Sequence, residues 1–195
     1  RILEPETFEN TFHAIWWILT TMTTVGYGDV YPTTILGRIW AMVIIYTAGI
    51  GLFGMVIGMI VDGISQYKRM KEEGKMTFKG ENHYVIIGWT TKSKNTIKEL
   101  FIGDDHTEIV LIDEFEKTPY EHERFLYIQG SPTDDETLRR ARIEKSKAVL
   151  LFAPDGINNP DLADGKTLLT ASSIERYDEG TEKNIYTIAE ILNEK

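Results

Sequence analysis

Thr23-Thr24-Val25-Gly26-Tyr27-Gly28-Asp29 is followed closely by Pro32, and this combination leaves the chain no regular helix to adopt. Before it, residues 12–21 are apolar enough to read as a helix. At about 15 Å that helix is too short to cross a hydrocarbon layer of about 30 Å, so it enters without crossing. Glu4, Glu6 and Glu9 precede it, with Pro5 and Thr7 as the expected helix-start residues. After the irregular stretch, a helix is expected from Thr34 or Ile35 to about Tyr67. Residues 39–61 within it carry no charge, a run of about 34 Å at about 1.5 Å per residue. That length spans a bilayer. Irregular backbone at membrane depth survives only where protein buries it or where it lines an aqueous cavity, because an unsatisfied peptide group in lipid costs several kcal/mol. The loop is therefore expected to line a pore, and this context argues against a β-turn of a soluble protein.

A dehydrated cation needs its water shell replaced by oxygens, and a ring of extended backbones supplies them if consecutive carbonyls point inward. Thr24, Val25, Gly26, Tyr27 and Gly28 suit this. Gly26 and Gly28 reach conformations closed to other residues, Thr24 adds a hydroxyl, and Val25 and Tyr27 are free to pack outward. Four copies are needed to surround an ion. Lys68, Arg69 and Lys71 follow the apolar run, which places that end on the cytoplasmic side and Asp29 outside.

Beyond the membrane segment the chain changes character. Residues 72–82, with Gly74 and Gly80, read as a linker. Short apolar runs at residues 84–87, 108–112, 125–128, 148–152 and 184–188 suit buried parallel strands. Helical stretches at 93–101, 119–123, 134–142 and 165–177 separate them. Such alternation gives a doubly wound sheet whose ligands sit at the carboxyl ends of the strands. The net charge of -9 argues against nucleic acid as a partner, and the absence of cysteine excludes disulfides and thiolate metal sites. Four scattered histidines, with no triad or phosphate loop, point away from an enzyme.

The motif Thr24-Val25-Gly26-Tyr27-Gly28-Asp29, behind a short helix with Trp16-Trp17 and ahead of a glycine-containing spanning helix, resembles the pore of the potassium channel superfamily. The segment His83-Tyr84-Val85-Ile86-Ile87-Gly88-Trp89, with residues 125–132 and 137–149, resembles the RCK domain that regulates potassium conductance in prokaryotic channels. The implied fold is a membrane α unit of pore helix, selectivity filter and inner helix, followed by a Rossmann-like α/β lobe. The expected divisions are a pore domain at 1–66, a linker at 67–82 and a regulatory domain at 83–195. The family's first spanning helix and the second half of its regulatory domain are expected beyond this sequence.

The resemblance further implies a ligand-gated homotetramer in the cell membrane with a cytoplasmic C-terminal domain, RCK–RCK assembly, and K+ ions held by Thr24 to Gly28. Trp17 and Tyr27 would form an aromatic cuff, and Asp29 would accept a bond from a Trp indole, with Trp16, Trp17 and Asp29 supporting the filter. Thr20 departs from the Glu common at its position. Gly49 aligns with a gating hinge; Gly54 and Gly58 have the spacing of close helix packing. The ligand expected for the regulatory domain from this resemblance is Ca2+ or an adenine nucleotide. For the nucleotide, Gly88 keeps the first position of the dinucleotide fingerprint, Thr90 and Ser93 replace the next two glycines, and Asp113 stands where the ribose acid belongs. For calcium the candidates are Asp113, Asp155, Asp161, Asp164 and Glu190; Ala153 and Leu192 occupy two family carboxylate places and Glu190 matches. The alternatives are a non-selective cation channel and a soluble nucleotide-responsive regulator or oxidoreductase.

Overall fold

The computed structural model describes residues 7–157, 159–179 and 184–193; Glu4, Pro5 and Glu6 lie outside them. The chain divides into two units, residues 1–66 and 67–195.

In the first unit, α1 spans Thr11–Met22. Its start is not Thr7: Asn10 caps it, the side chain accepting the His13 N–H at 2.9 Å. After the loop, Thr34 accepts the Gly37 N–H and opens α2, Ile35–Ile44. A π-helical turn at Ile45–Ile50 follows, and α3 continues over Gly51–Glu72. Ile35–Glu72 thus forms 38 helical residues, long and apolar enough to cross a membrane.

α3 runs past Tyr67 because its last turns carry ion pairs four residues apart, Lys68 with Glu72 and Arg69 with Glu73. It stops at Gly74, whose φ of +64° favours a residue without a Cβ. Gly74 N–H bonds to Lys71 O and Lys75 N–H reaches back to Met70 O at 2.9 Å, which satisfies the last carbonyls of the helix.

The second unit holds a five-stranded parallel sheet ordered β3-β2-β1-β4-β5, from β1 (Tyr84–Ile87), β2 (Ile109–Asp113), β3 (Phe125–Gln129), β4 (Ala148–Leu151) and β5 (Thr187–Ala189). Helices α4 (Thr91–Gly103), α5 (Asp135–Ala141) and α6 (Pro160–Asp178) complete a Rossmann-like lobe. Side chains alternate along each strand, so the sheet buries a core on both faces. Val85, Ile87, Val110, Ile112 and Val149 pack with Leu138 of α5 and Ile174 of α6; Ile86, Ile109, Leu111 and Tyr127 pack with Ile97 and Phe101 of α4.

Residues 119–123, expected as a helix, form none. Pro119 has no N–H to donate, the Thr118 hydroxyl bonds to Tyr120 O at 2.7 Å, and Thr118 N–H goes to Glu72 O at 2.7 Å. The backbone's needs are met elsewhere. The irregular path also lets Tyr120 pack edge-on to Phe125 and His122 stack on Phe101, at centroid distances of 5.2 and 4.2 Å.

Residues 74–82 have no helix or strand, yet they are bonded along their length to the α/β lobe. Gln129 N–H donates to Gly74 O at 3.0 Å, Phe78 N–H to Arg140 O at 2.9 Å, and Asn82 N–H to Lys145 O at 2.9 Å. Arg140 donates to Gly74 O and Met76 O, and Arg142 to Lys79 O. Phe78 is buried in the core beside His83, ring centroids 4.2 Å apart.

Candidate functional site

The loop after α1 owes its shape to one carbonyl. Thr20 O accepts both Val25 N–H and Gly26 N–H at 3.0 Å, which turns these amides toward the helix. Thr20 itself is buried, its hydroxyl donating to Trp16 O at 3.0 Å and Trp17 O at 3.1 Å. Positive φ occurs at alternate residues, Thr24 (61°), Gly26 (55°) and Gly28 (74°), with Val25 and Tyr27 on the other side of the Ramachandran plane. Alternation of hand is what lets successive carbonyls point the same way, and in this chain it costs one non-glycine residue, Thr24, about 1 kcal/mol.

Trp16, not Trp17, meets the loop within the chain. Its ring stacks on Tyr27 with centroids 5.6 Å apart and planes at 2°, and its indole N–H donates to Asp29 Oδ2 at 2.9 Å. Asp29 Oδ1 accepts Val30 N–H at 3.0 Å. Trp17 instead packs on Phe8, centroids 5.6 Å apart. Gly49 lies in the π-helical turn and is buried against α1: a Cβ there would stand 3.0 Å from Met22 Cγ. Gly54 and Gly58 face open space in the single chain.

The second candidate site is a cavity of about 460 Å³ at the carboxyl ends of β1, β2 and β4. Gly88, Thr90 and Asp113 line it together. Gly88 has φ +92°, and a Cβ there would lie 3.0 Å from Phe152 O. The two positions that lack glycine have a local use instead. Thr90 Oγ1 accepts Ser93 N–H at 3.0 Å while Ser93 Oγ accepts Thr90 N–H at 2.7 Å, a capping box that starts α4. Ser93 is consequently buried under the turn and does not line the cavity.

Two other amides at this helix entry already hold carboxylates. Trp89 N–H donates to Asp113 Oδ2 at 2.7 Å and Thr91 N–H to Asp155 Oδ2 at 2.9 Å. An incoming phosphate would have to displace Asp155 to reach the α4 N-terminus. Lys166 of α6 supplies a positive charge to the cavity, and Ser131, Thr133 and Thr170 supply hydroxyls. Sequence reading missed these because they come from elements far along the chain, with no motif around them.

Glu190 is not brought to this cavity. It closes the end of β5, accepting Ala153 N–H at 3.1 Å and pairing with Lys92. Asp164 is buried and accepts Leu192 N–H and Asn193 N–H at 2.8 and 3.0 Å, while Asp161 takes the Asn193 side-chain amide. The carboxylates expected as calcium ligands are thus spread over several separate hydrogen-bonding tasks, to backbone and side chains. Among the described residues no group of three or more His, Asp or Glu side chains converges as a metal site.

Residues 2–66 match the ion channel family, and residues 79–189 match the calcium-activated potassium channel slowpoke-like RCK domain. The putative potassium channel protein YugO of Bacillus subtilis is 33% identical over 194 residues, covering 100% of this chain and 57% of the relative. The calcium-gated potassium channel TvoK of Thermoplasma volcanium is 34% identical over 198 residues, covering 100% of this chain and 55% of the relative. The chain spans a little over half the length of these relatives. Among solved structures, the GsuK channel bound to NAD is similar over 88% of this chain and 32% of that one, at 23% identity and a TM-score of 0.48. The chain belongs to the family of slowpoke-like RCK domains, carried behind an ion channel segment.

Proposed function

We propose that four copies of this chain surround a passive, potassium-selective pathway through the cell membrane, with a ligand in the cytoplasmic α/β lobe setting how often it opens. The observation that carries this is the alternating backbone of Thr24 to Gly28, whose Val25 and Gly26 amides are taken by Thr20 O, a conformation that allows successive carbonyls to face an ion. Asp29, tied to Trp16, supports the outer end of this filter. The cationic residues Lys68, Arg69 and Lys71 support a cytoplasmic placement of the second unit. Two whole-chain relatives carry potassium channel names, which agrees with this reading.

For the ligand, the strand-end cavity with Gly88, Thr90, Asp113 and Lys166 favours an adenine nucleotide, its base and ribose in the cavity and its phosphate exchanging with Asp155. Calcium is the second reading, favoured by the name of the Thermoplasma volcanium relative. Homotetramerisation and contacts between lobes of neighbouring chains are part of the same proposal.

Bi-ionic reversal potentials of the full-length protein in planar bilayers test the pore. We expect potassium to be preferred over sodium at least tenfold, and Gly26→Ala to abolish that preference. Current without discrimination would make the protein a non-selective cation channel, and absence of any flux would favour the soluble regulator. Titrating ADP and Ca2+ separately against open probability decides between the two ligands.

A further inference from the structure

Tyr127 of β3 is 1% exposed, and the two ends of its side chain meet two different segments. Its hydroxyl lies 2.9 Å from Asp113 O and 2.8 Å from Phe115 O, sharing its one proton between them. Asp113 and Phe115 both line the strand-end cavity. Its ring lies against the turn that ends α3: a Cβ on Gly74 would be 2.8 Å from Tyr127 Cδ1 and 2.9 Å from Cε1.

The backbone around Tyr127 repeats the connection. Gln129 N–H donates to Gly74 O, and Gly130 N–H donates to Asp113 O, both at 3.0 Å. Arg140 closes the group from the side, donating to Gln129 O and Met76 O at 3.1 Å and to Gly74 O. The cavity wall at residues 113–115 and the helix-exit turn at 73–76 therefore share one buried ring. A close-packed ring of this size does not shift on one side without disturbing the other.

We propose that Tyr127 is the residue through which the strand-end cavity acts on the turn that follows α3. The proposal rests on the reading of that cavity as the ligand site. A ligand that pulls residues 113–115 toward itself loads the Tyr127 hydroxyl, and the ring passes the load to Gly74. Contiguity alone does not establish coupling, so the test has to measure transmission.

Tyr127→Phe keeps the ring and its volume and removes the donor. Hydrogen exchange of the full-length protein in nanodiscs is compared for peptides covering residues 73–76 and 113–115, with no ligand added. Exchange is expected to rise at least threefold in both; a rise at 113–115 with 73–76 unchanged overturns the proposal. With ADP as the probe, the variant is expected to bind within threefold of the natural protein but to lose at least fivefold of the ADP effect on potassium flux. An undiminished ADP effect also overturns it. Should the natural protein neither bind ADP nor respond to it, the nucleotide reading of the cavity fails, and the ligand-free exchange result decides the coupling. If Tyr127→Phe does not fold, Arg140→Lys is read by the same two peptides.

Discussion

Replacing Gly74 by alanine places a methyl group where there is no room for one. The position has φ +64°, a left-handed conformation that costs an L-residue about 1 kcal/mol. A Cβ there would overlap Gln129 N and stand 2.8 Å from the Tyr127 ring, and neither can step aside. The first is backbone inside β3; the second is fixed by its bonds to Asp113 O and Phe115 O. Overpacking of this kind costs about 1–3 kcal/mol, and the Gln129–Gly74 hydrogen bond, worth about 1 kcal/mol, stretches with it. The sum is about 3–5 kcal/mol. Gly103→Ala is the control, since a Cβ there meets nothing within 4 Å at the end of α4 and is worth up to about 1 kcal/mol in helix propensity. Amide exchange of the β1–β4 core reads the difference, because those amides need the sheet to open. At about 1.4 kcal/mol per tenfold, Gly74→Ala is expected to exchange at least 100-fold faster than Gly103→Ala. Rates within threefold of each other would refute the packing argument at Gly74.

Two further outcomes follow from the same geometry. His83 is fully buried, with Nε2 bonded to Ala141 O at 2.9 Å, and burial pushes its pKa from 6.5 down to about 4. The fold thus holds the neutral ring, and the unfolded chain binds the extra proton between those values. Stability is complete above pH 6.5 and falls as the pH drops toward 4, by about 2–3 kcal/mol at pH 4.5. Denaturant midpoints of the lobe measured from pH 7 to 4.5 should show this slope, and His83→Gln should flatten it; an unchanged slope rejects His83 as its source. Gly49→Ala presses a methyl on Met22, 3.0 Å from Cγ and 3.2 Å from Cε, both on a flexible side chain. The single change is expected to alter gating mildly and Met22→Ala to restore it; a gating defect that persists in the double variant favours a backbone hinge at Gly49 over packing.

The irregular backbone of residues 23–29 is legible in the sequence because it is a backbone demand: only certain residues allow alternate positive φ, and Gly26 and Gly28 announce them. The strands were legible for a similar local reason, short apolar runs that the sheet buries on both faces. Less visible were features settled by partners distant along the chain. At residues 119–123 the expected helix is absent, and the preceding Thr118 N–H is held instead by Glu72 O, 46 residues earlier in the chain. Asp155 was weighed as a calcium ligand, but its task at the α4 N-terminus depends on an amide 64 positions earlier. At the fingerprint's altered positions the hydroxyls of Thr90 and Ser93 serve the helix start, a role that the dinucleotide pattern does not contain; Thr90 still lines the cavity, while Ser93 lies beneath the turn.

The bonding of residues 74–82 bears on how motion leaves the lobe. Nine residues of free chain stretch to about 32 Å at about 3.5 Å each, so a loose tether would swallow any displacement of that order before its far end felt a force. Here that slack is already wound onto the protein surface, and recovering it means peeling off Phe78 and a row of hydrogen bonds worth about 1 kcal/mol apiece. Residues 74–82 therefore move with the lobe until those bonds give way.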